Sequence, residues 1–226
     1  MLAPRIALIH ATDVAIRPIQ AAFVSLWPIA HTTNLLDDSL APDLATAGHL
    51  TDAITLRFVS LARYVHNAGA DAVLFTCSAF GPAIEAARRA VPVPVLKPNE
   101  AMLEEAVEAG QRIGLLATFT PSIASVRTEL QALAETRGLR IEIKEQPVVG
   151  ALDALHAGDA GEHDALIADA AEELSDCDVI VLTQFSMERA AVRIAAALPS
   201  ARVLSSPASA VNRLKQLLGE EMKRLR

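Results

Sequence analysis

The chain has 226 residues, 52% of them hydrophobic, which is enough length and apolar content to bury a substantial core and excludes a disordered protein. Its formal net charge of −7 excludes the basic face that nucleic-acid phosphates require, so no nucleic-acid partner is expected. Two cysteines, Cys77 and Cys177, do not make a disulfide framework, and no CxxC or HExxH spacing predicts a bound metal.

In chain order, short aliphatic runs alternate with Ala-rich amphipathic stretches. Residues 5–10 predict a strand, 16–26 a helix, 32–36 a strand and 49–68 a long helix. A strand over 71–76, a helix over 82–90 and a short strand over 93–96 follow. The same order then recurs: strand 112–117, helix 121–137, strand 140–145, helix 164–174, strand 178–182, helix 188–197 and strand 202–204. A last helix runs from about Ala208 to Arg224. Its basic end, Lys223-Arg224-Leu225-Arg226, follows Glu220 and Glu221 and reads as a solvated helix terminus. No apolar run approaches the ~20 residues of a membrane helix, and Met1 leads almost at once into the first strand without a signal-peptide core. The expected compartment is therefore the cytoplasm, with both thiols reduced.

The recurrence has a constant period. Asp71-Ala-Val-Leu-Phe-Thr matches Asp178-Val-Ile-Val-Leu-Thr 107 residues later, Arg5-Ile-Ala-Leu matches Arg112-Ile-Gly-Leu, and Pro92 matches Pro199 at the same offset. The second strands fall near the same offset, Leu35–Leu36 against Glu142–Ile143. The expected fold is α/β with two duplicated parallel-sheet domains related by a pseudo-two-fold, one over 1–98 plus 208–226 and the other over 99–207. Open parallel sheets bind ligands at the carboxyl ends of their strands, so the functional site is expected in a cleft fed by strand-end loops from both halves.

Those loops are rich in hydroxyls and poor in charge. The first half supplies His10-Ala-Thr12-Asp13, Asp37-Asp38-Ser39 and Thr76-Cys77-Ser78-Ala79. The second supplies Thr118-Phe119-Thr120, 146–150 and Thr183-Gln184-Phe185-Ser186, with Lys97 and Arg189 the nearest cations. Hydroxyls and helix-terminal N–H groups suit a small carboxylate. Cys77 is expected to be reactive, its pKa lowered at the start of a helix, whereas Cys177 lies before its strand and reads as structural. His10 and Asp38 are the other acid–base candidates, with a buried, hydrogen-bonded His10 and a solvated Asp37-Asp38 turn as the plainer readings.

The duplication, the Thr76-Cys77-Ser78 turn and above all Asp71-Ala-Val-Leu-Phe-Thr-Cys-Ser-Ala-Phe-Gly resemble the aspartate/glutamate racemase superfamily, which includes glutamate, aspartate and hydantoin racemases, maleate isomerase and arylmalonate decarboxylase. The resemblance implies two α/β domains, no metal, no pyridoxal phosphate or other cofactor, and a small carboxylate substrate. A homodimer is a reasonable expectation for such a family, and nothing in the residues demands one. The resemblance also implies Cys77 as the catalytic residue and Thr12, Thr76, Ser78, Ala79, Thr118, Phe119, Thr120, Thr183, Gln184, Phe185 and Ser186 as substrate-binding positions. Family racemases carry a second cysteine, and both the motif and the 107-residue offset put that position at Gln184, which cannot titrate. Three cofactor-independent reactions stay open on one thiol: proton transfer at the carbon α to a carboxylate or carbonyl with His10, Asp38 or water on the other face, decarboxylation followed by protonation, and cis–trans isomerisation by thiolate addition. Phe119 and Phe185 favour a substrate with an apolar part. A binding protein without turnover is the alternative from another class, and a thiol hydrolase is disfavoured because no Cys/His/Asn set is evident.

Overall fold

The computed structural model describes residues 3–118 and 120–224. They form two compact units, one running to Pro98 and resuming at Ala210, the other Asn99–Ser209. The return boundary falls two residues beyond the expected 207/208 break, inside the last helix.

The first unit contains β1 (Arg5–His10), α1 (Ile16–Leu26), β2 (His31–Leu36), α2 (Leu40–Ala47), α3 (Asp52–Asn67), β3 (Ala72–Phe75), α4 (Gly81–Ala90) and β4 (Val95–Leu96). The second contains α5 (Glu100–Ala109), β5 (Arg112–Ala117), α6 (Thr120–Thr136), β6 (Glu142–Pro147), α7 (Ala151–His156), α8 (Ala160–Ala171), β7 (Val179–Leu182), α9 (Ala191–Ala197) and β8 (Arg202–Ser205). The final helix, α10 (Ser206–Arg224), begins there and returns the chain to the first unit; Leu225 and Arg226 lie outside the described residues. The sheets have orders β2-β1-β3-β4 and β6-β5-β7-β8, and all pairings are parallel.

The central pair repeats residue for residue. Ile6 faces Ala72 in the first sheet and Ile113 faces Val179 in the second, both 107 residues on. The second strands fall near that offset but not on it, and the match of Leu35–Leu36 with Glu142–Ile143 is shifted: Arg5 pairs with His31 but Arg112 with Glu142, so β2 and β6 stand 111 residues apart. The segment preceding β6 carries the extra residues, because α6 has 17 residues where α1 has 11.

Anchors at the amino ends repeat as well. Asp71 accepts the Arg5 N–H at 2.7 Å, and Asp178 accepts the Arg112 N–H at 2.9 Å. Arg112 also folds its guanidinium onto Asp178 at 2.6 Å, and these bonds hold that carboxyl down to about 2.

Burial on both sheet faces explains the continuous apolar strands. In the first sheet, Ala7, Ile9, Val73 and Phe75 pack under α3 and α4, where Phe58 stacks on Phe75 at 5.0 Å and meets Phe80 at 4.8 Å. Ile6, Leu8 and Leu74 alternate with them and are equally buried. In the second sheet, Ile113, Leu115, Val179 and Val181 line one core and Leu116, Ile180 and Leu182 the other.

Three helices fall where the sequence pattern shows none: α2, α5 and α7. The long helix starts at Asp52, not His49, because the Thr51 hydroxyl accepts the Ile54 N–H at 3.2 Å and fixes the cap there. The helix expected over 164–174 starts at Ala160, capped by Asp159 on Glu162 N–H at 2.9 Å. The helix expected over 188–197 is a 3-10 turn, Phe185–Ala190, followed by α9.

Candidate active site

At the carboxyl end of the first sheet, β1 ends in His10, β2 in Leu36 and β3 in Phe75, followed by Thr76 and Cys77. His10 is 0% exposed. Its Nε2 lies 3.0 Å from Asn34 Oδ1 and its Nδ1 2.8 Å from Thr76 Oγ1. Because Asn34 Oδ1 can only accept, Nε2 carries the proton, Nδ1 is a lone pair, and the Thr76 hydroxyl donates to it. Burial pulls the His10 pKa below its ordinary value, outweighing the Asn34 bond that favours the cation. The ring is thus a neutral core group that braces the residue before Cys77, with neither nitrogen free for an external proton.

Cys77 is half-buried, extended (φ −123°, ψ 121°), and precedes a one-turn 3-10 helix, Ser78–Phe80. Its expected low pKa is corrected. Burial pushes the thiol up, and the Ala79 N–H pointing at the sulfur offsets this only in part. The α-helix expected to supply a dipole, α4, begins at Gly81, beyond the 3-10 turn, and among the described residues the N–H at the sulfur is that of Ala79. Cys77 is therefore a thiol at rest. Ser78 and Ala79 are exposed. Cys177 is buried in the core of the second unit.

The remaining first-unit loops divide sharply. Asp37 is held by Arg57 at 2.5 Å and by the Ser39 hydroxyl at 2.7 Å, and Arg57 also bonds Asp43. Burial draws the Asp37 carboxyl upward, but Arg57 and Ser39 outweigh it and hold the pKa below the ordinary value. Asp38 is exposed beside this network. Thr12 is half-buried, and its hydroxyl makes no cap bond to the turn that follows.

In the second unit, Thr183 and Gln184 occupy the places of Thr76 and Cys77. The Thr183 hydroxyl donates to Leu116 O at 3.1 Å, as Thr76 faces Ile9 O at 3.4 Å. No imidazole competes for it, because Ala117 stands 107 residues from His10. Gln184 Oε1 accepts the Thr118 N–H at 3.1 Å and faces its hydroxyl at 3.4 Å, while Nε2 donates to Ser122 Oγ at 2.5 Å. Thr120 is the exposed first residue of α6, and Phe185 and Ser186 are half-buried. Phe119 lies outside the described residues. The neighbouring cations are engaged: Lys97 with Glu85 at 3.0 Å and Arg189 with Asp164 at 3.0 Å.

Two polar features escaped the sequence reading. Glu188, in the turn after Gln184, bonds Ser205 and has a buried Oε2 with no partner; burial raises its pKa against that bond. His163, 1% exposed, is held through Nδ1 by Asp164 at 2.9 Å, which in turn meets Arg189. An adjacent His-Asp pair near a helix start was the available signal for the second feature. A lone Glu in a helical pattern gave none for the first.

Among the described residues, no cluster of three or more His, Cys, Asp or Glu could hold a metal ion, and no helix is long and apolar enough to cross a membrane. No curated protein matches the chain by sequence. The fold is similar to glutamate racemase from Bacillus anthracis, with 15% identity and TM-score 0.70 over 98% of this chain and 84% of that one. It is also similar to a sulfate-associated variant of arylmalonate decarboxylase (21%, TM-score 0.66, 96% and 94%) and to allantoin racemase from Klebsiella pneumoniae (18%, TM-score 0.65, 97% and 89%). Residues 11–214 match the Asp/Glu/hydantoin racemase family, and the chain belongs to that family.

Proposed function

We propose that the protein is a cofactor-independent enzyme in which Cys77 transfers a proton at the carbon α to the carboxylate or carbonyl of a small acid. One observation carries this reading: a half-buried thiol at the carboxyl end of a central strand, with the Ala79 N–H on its sulfur and no competing partner among the described residues. Burial keeps the resting group protonated, which suits an acid that delivers a proton to a carbanion or enolate. On transfer the S–H bond breaks and a C–H bond forms at the α-carbon. The sulfur becomes a thiolate, which the Ala79 N–H then stabilises. The thiolate is reset either by taking an α-proton from the next substrate or by taking one from water.

Protonation after decarboxylation is the second reading, and Gln184 favours it. A carboxamide stands at the position of the second family cysteine, so the two family positions hold one thiol here where a two-thiol racemase has two.

The test is proton exchange and CO₂ release followed by NMR in D₂O. The panel is amino, hydroxy, aryl and malonic acids, with wild type and Cys77→Ala side by side. Deuterium incorporation that disappears in Cys77→Ala supports the reading, and the chirality of the product separates exchange from one-sided protonation. Incorporation that persists in a folded Cys77→Ala protein, or its absence from the whole panel with wild type, refutes it.

A further inference from the structure

The polar groups at the end of β5 form a directed chain. Gln184 Nε2–H donates to Ser122 Oγ, the Ser122 hydroxyl faces Thr183 Oγ1 at 3.2 Å, and the Thr183 hydroxyl donates to Leu116 O. Since Leu116 O can only accept, the proton order runs one way, from the carboxamide inward. The other end of the carboxamide is fixed as well, by the Thr118 N–H on Oε1. Both heteroatoms of a half-buried glutamine are therefore committed, at the cost of the rotamer freedom a long side chain keeps elsewhere. The first unit has no counterpart. At the same 107-residue offset, Cys77 stands for Gln184 and Ala15 for Ser122, so neither a carboxamide nor a hydroxyl closes that turn.

We propose that the Gln184 carboxamide is a tethered occupant of a polar notch formed by Thr118 and Ser122, and that it makes the second unit reject ligands bringing a carboxylate or carboxamide to that notch. A free donor N–H beside a helix start and a serine hydroxyl are what a small carboxylate or amide would bind. Here a side chain of this protein already fills that role. Gln184 is thereby a specificity-determining residue: it selects substrates that present no second polar group to the end of β5. The inference does not depend on Cys77 chemistry and is tested without turnover.

Truncation by Gln184→Ala removes a fragment close to acetamide in size. The measurement is the Thr118 backbone amide resonance during titration with acetamide and, separately, sodium acetate, in wild type, Gln184→Ala and Gln184→Glu. The expected result is a saturable Thr118 shift in Gln184→Ala, with affinity at least about tenfold above wild type, the factor that one recovered hydrogen bond supplies. Gln184→Glu keeps an occupant of the same shape and should stay closed to both probes. Equal shifts in wild type and Gln184→Ala, or no shift in a folded Gln184→Ala protein, overturn the proposal. A second readout needs no variant to fold. In wild type the Gln184 side-chain NH₂ signals should show contacts to Ser122 and slowed exchange with water, and a freely exchanging NH₂ overturns the proposal equally.

Discussion

Replacing Thr76 by Val tests whether His10 is a neutral brace for the Cys77 turn. The substitution keeps the β-branched shape and removes the hydroxyl that donates to His10 Nδ1 at 2.8 Å. Thr76 is 6% exposed and His10 fully buried, so water cannot readily replace the lost donor. A buried acceptor left without its partner costs about 1–3 kcal/mol, and the methyl that replaces the hydroxyl returns roughly 0.8 kcal/mol, leaving a net loss of about 0.2–2.2 kcal/mol. For a chain of this size each kcal/mol lowers the Tm by roughly 2–4 °C. Thermal unfolding at pH 8 should therefore show a drop of about 2–5 °C for Thr76→Val, and of no more than about 9 °C. Thr12→Val is the control, because its hydroxyl makes no cap bond; it should stay within about 0.5 kcal/mol of wild type. Equal melting temperatures for the two variants would mean that the Thr76 hydroxyl does not hold His10, and the assignment of the imidazole as a structural brace would fail.

The lowered His10 pKa carries a sign. The unfolded chain binds this proton more readily than the folded one, so the stability from neutral His10 is complete above pH 6.5 and is lost as pH falls below it towards the folded value. Urea unfolding between pH 8 and 5 should show that fall in wild type and a shallower one in His10→Gln; parallel curves would contradict it. Cys77→Ala should abolish proton exchange while changing stability by less than about 1 kcal/mol, since the side chain is only half-buried; unfolding of that variant would make Cys77 a packing residue. Alkylation of Cys77 by iodoacetamide, measured in Cys177→Ala, should rise with a midpoint above the ordinary thiol value of 9.0, and a midpoint near neutrality would contradict the burial effect. Gln184→Cys supplies a second thiol at the register-equivalent position and should convert one-sided protonation into exchange that racemises the product. A folded variant with unchanged stereochemistry would refute that equivalence.

The strands were legible because both faces of each central strand pair are buried, which writes an uninterrupted apolar run at Ile6–Ile9 and Ala72–Phe75. The 107-residue repeat in the sequence is the observed register of the central strand pairs. The edge strands were less legible. His31–Leu36 and Glu142–Pro147 are mostly exposed or half-buried, their pattern is weak, and a four-residue difference in offset passed unseen. The short helix α2 was hidden by Asp37-Asp38-Ser39 and by Pro42, which sits in its first turn where a missing N–H is harmless. At the site, the position of Cys77 was readable but not its acidity. That depends on how many N–H groups reach the sulfur and how much protein covers it, and a single 3-10 turn changes both. The pairing of His10 with Thr76 and Asn34 was equally out of reach, because it joins residues 66 and 24 positions apart.

The matched pairs Asp71/Asp178 and Thr76/Thr183 give this protein an internal reference. Each pair places one side chain at the same strand register in two different surroundings within a single molecule. A substitution made at both members is read at one pH, one concentration and in one sample, so differences in preparation cancel. What is left is the effect of the neighbourhood: an imidazole beside one threonine, a serine and a carboxamide beside the other. The chain thus contains, in its own second copy, the control for experiments on its first.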